Sequence, residues 1–156
     1  MRKLVFAAIG LIILLPITAL AMMSLFSRRP ANLGVTDGHL APCPKSPNCV
    51  SSQADDPRHR VEPLSCSGDP DTAFKRLEQV IRRMPRAKIV AADEGYLHAE
   101  FTSRLFRYVD DVELLLDPDK RVIHIRSASR AGYSDMGANR QRVEAIRRRF
   151  READDE

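Results

Sequence analysis

The spacing of hydrophobic residues changes along the chain, and each change predicts a different element. After Asp69, apolar residues recur at three- and four-residue steps, which is typical of an amphipathic helix with one buried stripe. Asp69 suits the N-cap and Pro70 the first helical position, while Pro85 ends the helix. The stripe comprises Ala73, Phe74, Leu77, Val80, Ile81 and Met84.

From Lys88 onward the apolar residues alternate with polar ones, which indicates β-strands. We predict four strands, at residues 88–92, 96–102, within 106–116 and at 121–127. Asp117 and Pro118 favour a type I turn between the last two. Pairing Asp117 with Lys120 sets a register in which apolar residues face apolar residues and opposite charges face each other. Leu114 then faces Ile123, Val112 faces Ile125, Glu113 faces His124 and Asp111 faces Arg126.

The strands then have one apolar face and one polar face. Histidines among carboxylates could bind a metal or transfer protons, but a half-covered sheet also has a solvated side, and we expect the polar face to be that side. The face carries His98, Glu100, Asp111, Glu113, His124 and Arg126.

A last helix is predicted from about Met136 to Phe150, with Val143 and Ile146 in its buried stripe. The fold class is therefore α+β. We expect a two-layer domain with a four-stranded antiparallel sheet and two main helices, preceded by one N-terminal transmembrane or signal helix.

That N-terminal helix is predicted because residues 4–26 contain no charged side chain. A helix of that length reaches roughly 34 Å, enough to cross the hydrocarbon core. The run could be retained as an anchor, or cleaved near Ala21 as a secretory signal. We divide the chain into this segment (1–29), a linker (30–40), a soluble α+β domain (41–151) and an acidic tail (152–156).

The chain has 25 basic and 21 acidic residues, a net charge of +4. Arg2, Lys3, Arg28 and Arg29 flank the apolar run and account for that excess, so the rest is neutral overall. The high pI therefore does not indicate a nucleic-acid partner. The region from Lys120 to Arg151 is locally basic and could attract anions.

Three cysteines add a constraint. Cys43 and Cys49 bracket a short proline-rich loop, and a disulfide between them would suit an oxidising compartment. There are two alternatives, which the spacing does not favour. Cys49 could act as a nucleophile with His59 or His98, or the cysteines could bind zinc. The sequence alone does not fix the pairing, although Cys66 is the simplest residue to leave over.

The loop from Arg126 to Arg140 most resembles a binding site. It opens a helix and combines arginines, glycines and small polar side chains, a composition suited to anions as well as to ordinary helix capping. Its candidate ligand-binding residues are Arg126, Ser127, Ser129, Arg130, Ser134, Asp135, Asn139 and Arg140.

Three runs, at residues 43–54, 95–117 and 125–147, together resemble the bacterial domain-of-unknown-function family numbered 1499. The resemblance implies an envelope-associated or exported protein and does not imply an activity. The positions that match the family's motifs are Cys43, Cys49, Arg126, Ser127, Ser129, Arg130, Gly132, Ser134, Asp135, Gly137, Asn139 and Arg140.

We therefore expect a membrane-tethered or exported binding module for an anionic ligand or an envelope protein, without catalytic residues, metal or cofactor. We place it at a bacterial inner membrane with its domain in the periplasm or outside, or secreted after cleavage. One alternative is a hydrolase using Ser129 or Ser134 with His98 or His124. Another is a structural subunit of an envelope assembly.

Overall fold

The computed structural model describes residues 28–154 and, before them, Arg2, Lys3, Phe6, Ile12, Leu14 and Thr18. Most of the segment expected to form an N-terminal transmembrane or signal helix lies outside the described residues. Among the residues that are described, no helix has the length and apolar character needed to cross a bilayer. The N-terminal helix of the expected fold is therefore not found among the described residues.

The domain consists of one large antiparallel sheet, a small hairpin and two helices. The sheet follows the order β3-β8-β7-β6-β5, and β4 also pairs with β8. The elements are β1 (Val35–Thr36), β2 (His39–Leu40), β3 (Cys49–Ser51), β4 (Leu64–Ser65), α1 (Pro70–Arg83), β5 (Ala87–Asp93), β6 (Tyr96–Thr102), β7 (Val109–Asp117), β8 (Val122–Ser129) and α2 (Ala138–Glu152).

The expected four-stranded sheet is wrong, because the sheet has six strands. The two additional strands are β3, which pairs with residues 126–128, and β4, which pairs with residues 122–123. They lie one after the other along the same edge of β8 and supply partners for backbone groups that would otherwise be unpaired. Strands of two or three residues are too short to show an alternating pattern.

Both helices pack on one face of the sheet, as their apolar stripes predict. Asp69 caps α1 by accepting a hydrogen bond from the backbone N–H of Thr72 at 2.8 Å, and the helix ends before Pro85. The core between the layers includes Leu77 and Ile81 of α1, Ile146 of α2, and Leu114 and Ile125 of the sheet, all fully buried.

The predicted register between β7 and β8 is wrong by two residues. Leu114 pairs with Ile125, and Glu113 pairs with Arg126 rather than with His124. The difference arises in the turn, where Arg121 adopts a left-handed backbone with φ of 54° and lengthens the loop. Because a shift of two keeps each side chain on its face, the two faces stay as predicted, but the charged partners change.

A substitution in β4 tests whether this strand, which the sequence did not predict, contributes to the core. Leu64 is 1 % exposed there, so Leu64→Ala should lower the free energy of unfolding by about 2–5 kcal/mol. The matched control is Leu105→Ala, because Leu105 is 78 % exposed and its loss should cost no more than about 0.5 kcal/mol. Equilibrium unfolding in urea measures both, and equal losses would contradict this role for β4.

Candidate functional site

The polar face of the sheet is buried, not solvated. His98 is 3 % exposed, Asp111 1 % and Glu113 0 %. Residues 29–42, which we call the strap, lie across this face, and β2 packs over β7. The backbone N–H of Gly34 donates to Oε1 of Glu113 at 2.7 Å, which fixes the strap to the sheet. The strap lacks a regular apolar pattern, so the sequence did not indicate that it would cover anything.

Arg130 is the centre of an ion network on this face. Its Nε and Nη2 donate to the two carboxylate oxygens of Asp111 at 2.8 and 2.6 Å, and Nη2 also donates to Glu100 at 2.6 Å. His98 Nε2 lies 2.7 Å from the same Asp111 carboxylate. Arg29 of the strap donates to Glu100 at 2.9 Å, so the network joins four parts of the chain.

A second group of bonds surrounds Glu113. Arg126 donates to Oε2 at 3.0 Å, and the Tyr96 hydroxyl donates to Oε1 at 2.9 Å. The corrected register places Arg126 directly opposite Glu113, which explains this pair. Burial raises the pKa of Tyr96, and the negative charge of Glu113 raises it further. Tyr96 therefore stays protonated at neutral pH and remains a hydrogen-bond donor.

The two carboxylates of the network, Asp111 and Glu100, are ionised at neutral pH. Burial raises the pKa of Asp111, but hydrogen bonds from Arg130 and His98 outweigh it, and the net pKa is lowered. For Glu100, too, burial raises the pKa and the bonds from Arg130 and Arg29 bring it below its usual value. Both carboxylates therefore remain ionised, and their charges are compensated by arginines under the strap.

The other face has a smaller polar network where β8 meets α2. Asn139 is fully buried, its Nδ2 donates to the backbone oxygen of Asn48 and to Ser129 Oγ, both at 2.9 Å, and its Oδ1 accepts from Ser127 Oγ at 2.6 Å. Arg142 donates to Ser127 and Asn139 and pairs with Asp110. These bonds join the start of α2 to the sheet.

The remaining candidate residues of the predicted loop lie near the start of α2. Asp135 accepts hydrogen bonds from the backbone N–H groups of Gly137 and Asn139, at 3.0 and 2.8 Å, as a capping residue does. Ser134 is exposed and its hydroxyl accepts from the N–H of Met136 at 3.3 Å. Arg140 donates to backbone oxygens of the segment beside α2.

The structure therefore divides the candidate ligand-binding residues among three places. Arg126 and Arg130 belong to the ion network under the strap, Ser127, Ser129 and Asn139 to the network on the opposite face, and the rest to the helix start. They do not line one pocket. Several of these polar side chains make buried bonds within the domain, whereas Ser134 and Arg140 are exposed.

The predicted disulfide between Cys43 and Cys49 is confirmed, with the two Cα atoms 5.6 Å apart. Neither cysteine is then free as a nucleophile or a zinc ligand. Cys66 is the unpaired thiol, and burial raises its pKa. Asn48, next to Cys49, donates to the backbone oxygen of Gly132 at 2.7 Å, so the disulfide loop supports the loop before α2.

Neither serine of the hydrolase alternative bonds to a histidine. Ser52 does lie 3.2 Å from Nδ1 of His124, a pair that sequence reasoning missed. However, Ser52 also accepts the backbone N–H of Ile125, and His124 Nε2 lies 3.7 Å from Asp117, beyond hydrogen-bond distance. The pair joins the end of β3 to β8.

Two loops at one end of the sheet expose apolar side chains. We call them the tip: residues 103–108 between β6 and β7, and residues 130–137 between β8 and α2. Leu105 is 78 % exposed, Tyr133 77 % and Met136 94 %. Arg104 and Arg107 are exposed beside Leu105, and neither makes a salt bridge within the described part of the chain.

The sequence did contain a signal for the tip. The run from Arg104 to Tyr108 combines two arginines with three apolar or aromatic residues, but part of it falls within the strand predicted in residues 106–116. In the structure β7 begins only at Val109. Arg107 has a left-handed backbone with φ of 55°, which is incompatible with a continuous strand.

Residues 39–150 match the model of a family described as protein of unknown function (DUF1499), and the chain belongs to that family. The match confirms the resemblance seen in the sequence. No curated protein and no solved structure matches the chain.

The ion network predicts a large effect from removing its central cation. Arg130→Met keeps the length of the side chain but leaves Asp111 and Glu100 without their guanidinium, so the free energy of unfolding should fall by about 3–5 kcal/mol at pH 7. Arg104→Met, at an exposed position, is the matched control and should change it by less than about 0.5 kcal/mol. Comparable losses in urea unfolding would show that the network is not central.

The same variant predicts a pH dependence. The folded pKa values of Asp111 and Glu100 lie below their ordinary values of 3.8 and 4.5. Groups with lowered pKa contribute stability above the unfolded pKa and lose it as the pH falls through the folded pKa. The deficit of Arg130→Met relative to wild type should therefore shrink below about pH 4.5. A deficit that stays constant from pH 7 to pH 3 would contradict this explanation.

Proposed function

We propose that this domain is a non-enzymatic binding module that recognises an anionic partner through its tip. The single observation that carries the proposal is the contrast between two sets of arginines. Arg126, Arg130 and Arg142 each pair with a carboxylate of the domain itself, whereas Arg104 and Arg107 are exposed and make no salt bridge within the described residues. An external anion meets less competition at the second set.

The charge of the tip supports an anionic partner. Lys45, in the disulfide loop that contacts Gly132, is also exposed and adds a third cation at this end of the sheet. Asp110, the acid closest in sequence to the loop of residues 103–108, is buried and paired with Arg142. Asp135 is occupied in capping α2. The exposed charge of the tip is therefore positive.

The tip loops are held in shape before any partner binds. Ser103 and Tyr108 close the first loop through two hydrogen bonds of 2.8 Å, and Asn48 holds the second through Gly132. Arg107 and Met136 adopt left-handed backbones, conformations that cost roughly 1–2 kcal/mol each and persist where the surroundings fix them. A preformed loop loses little conformational entropy on binding.

The disulfide supports a site of action in an oxidising compartment, outside the cytosol. Trapping the thiols with a maleimide in rapidly quenched cells tests this part of the proposal. Modification of Cys66 alone, after denaturation, is the expected result. Modification of all three cysteines would place the protein in a reducing compartment.

Binding to a soluble polyanion tests the function itself. With the full chain in mild detergent and immobilised dextran sulfate as the probe, Arg104→Gln with Arg107→Gln should weaken binding about tenfold, which corresponds to roughly 1.4 kcal/mol. The reason is the loss of two unpaired cations from the binding surface.

The matched control is Arg148→Gln with Arg149→Gln, which removes the same charge from exposed positions of α2. That pair should change the affinity by less than about twofold, since exposed charges outside the contact act only through a screened field. If both pairs weaken binding equally, the polyanion recognises net charge and the tip is not the binding surface.

A further inference from the structure

The apolar side chains of the tip point to the kind of anionic partner. We infer that the tip binds the anionic surface of a lipid bilayer, with its arginines at the headgroups and its apolar side chains in the interface. The inference rests on the proposed function and names the partner of that same surface.

The first argument is the degree of exposure. Leu105, Tyr133 and Met136 are each more than three-quarters exposed, whereas within residues 28–154 the one other exposed large apolar residue is Val35, at 42 %. They lie on two neighbouring loops, because β7 and β8 pair side by side and Asp110 opposite Ser129 marks the end of both strands. Apolar side chains grouped at one end of a domain indicate a surface that contacts another apolar phase.

The second argument is that cationic and apolar side chains stand next to one another in the first tip loop. In the first loop Arg104, Leu105, Phe106 and Arg107 follow one another, so each apolar residue has a cation within two positions. A soluble anion needs only the cations. A bilayer with anionic lipids also accepts the leucine, methionine and tyrosine, and tyrosine is favoured at the boundary between headgroups and acyl chains.

The third argument is the place where the N-terminal part of the chain joins the domain. Residues 4–26 carry no charged side chain. They precede Arg29, whose guanidinium shares the Glu100 oxygen with Arg130, at the start of the second tip loop. The most apolar part of the sequence is thus connected to the same end of the sheet that exposes Leu105 and Met136.

Fluorescence quenching by lipids tests the inference in the full chain. The sequence contains no tryptophan, so Tyr133→Trp introduces a single reporter at the tip. Its control is Glu94→Trp, in the exposed turn between β5 and β6 at the opposite end of the sheet. Vesicles of brominated phosphatidylcholine with phosphatidylglycerol should quench the reporter at position 133 strongly and the one at position 94 weakly.

The arginines give the second part of the test. Adding Arg104→Gln and Arg107→Gln to the Tyr133→Trp chain should reduce quenching by the anionic vesicles and raise the lipid concentration for half-maximal quenching roughly 30-fold, since each basic residue near an anionic membrane favours binding about fivefold. Vesicles of phosphatidylcholine alone should show no such difference between the two chains. An unchanged melting temperature of the Tyr133→Trp chain verifies the fold.

Equal quenching at positions 133 and 94 would overturn the inference, and so would quenching at position 133 that does not depend on the arginines. Either result leaves the polyanion experiment intact: if dextran sulfate still distinguishes the tip arginines from the α2 pair, the proposed function stands and only the bilayer is excluded. Loss of both effects would overturn the two proposals together.

Discussion

The bidentate contact between Arg130 and Asp111 is the interaction on which the outer face of the sheet depends. A carboxylate that is 1 % exposed must either be paired or lose its charge, and Arg130 provides the pair from the start of the loop before α2. The same guanidinium binds Glu100, which in turn holds Arg29 of the strap. The Arg130 side chain therefore links the sheet, the second tip loop and the strap.

This constraint explains why the loop with the most arginines in the sequence is not the loop with the most exposed arginines in the fold. The loop that looks most like an anion site uses Arg126 and Arg130 internally, against Glu113 and Asp111. Arg104 and Arg107, which are exposed and make no salt bridge within the described residues, stand in a loop that looks like the start of a strand. Counting charges along the sequence does not separate the two sets, since the separation depends on which carboxylates lie opposite in the folded sheet.

The elements that the sequence predicted well are those that depend on local signals. Helix α1 follows from Asp69, Pro70 and the apolar stripe, and the strands β6 to β8 follow from alternation. The errors arise where a distant segment decides the outcome. The strands β3 and β4 exist only because β8 offers them an edge, and the polar face is buried only because the strap lies over it. The register error, by contrast, is local: it comes from the left-handed backbone of Arg121, a conformation that an arginine in the sequence does not indicate. The disulfide could be predicted because its loop is short. The tip could not, because its first loop is recognised only when the start of β7 is known.

The bond from Asn48 to Gly132 connects the cysteine pair to the tip, and this connection affects how firmly the second tip loop is held. Asn48 directly precedes Cys49, so its position is restrained once the two sulfurs are joined. With the thiols reduced, this restraint on the loop carrying Tyr133 and Met136 would be absent, while the bonds from Asn139 and Ser129 to the backbone oxygen of Asn48 would remain. The disulfide thus restrains a loop that lies far from it in the sequence, so the redox state of two cysteines bears on the shape of the tip.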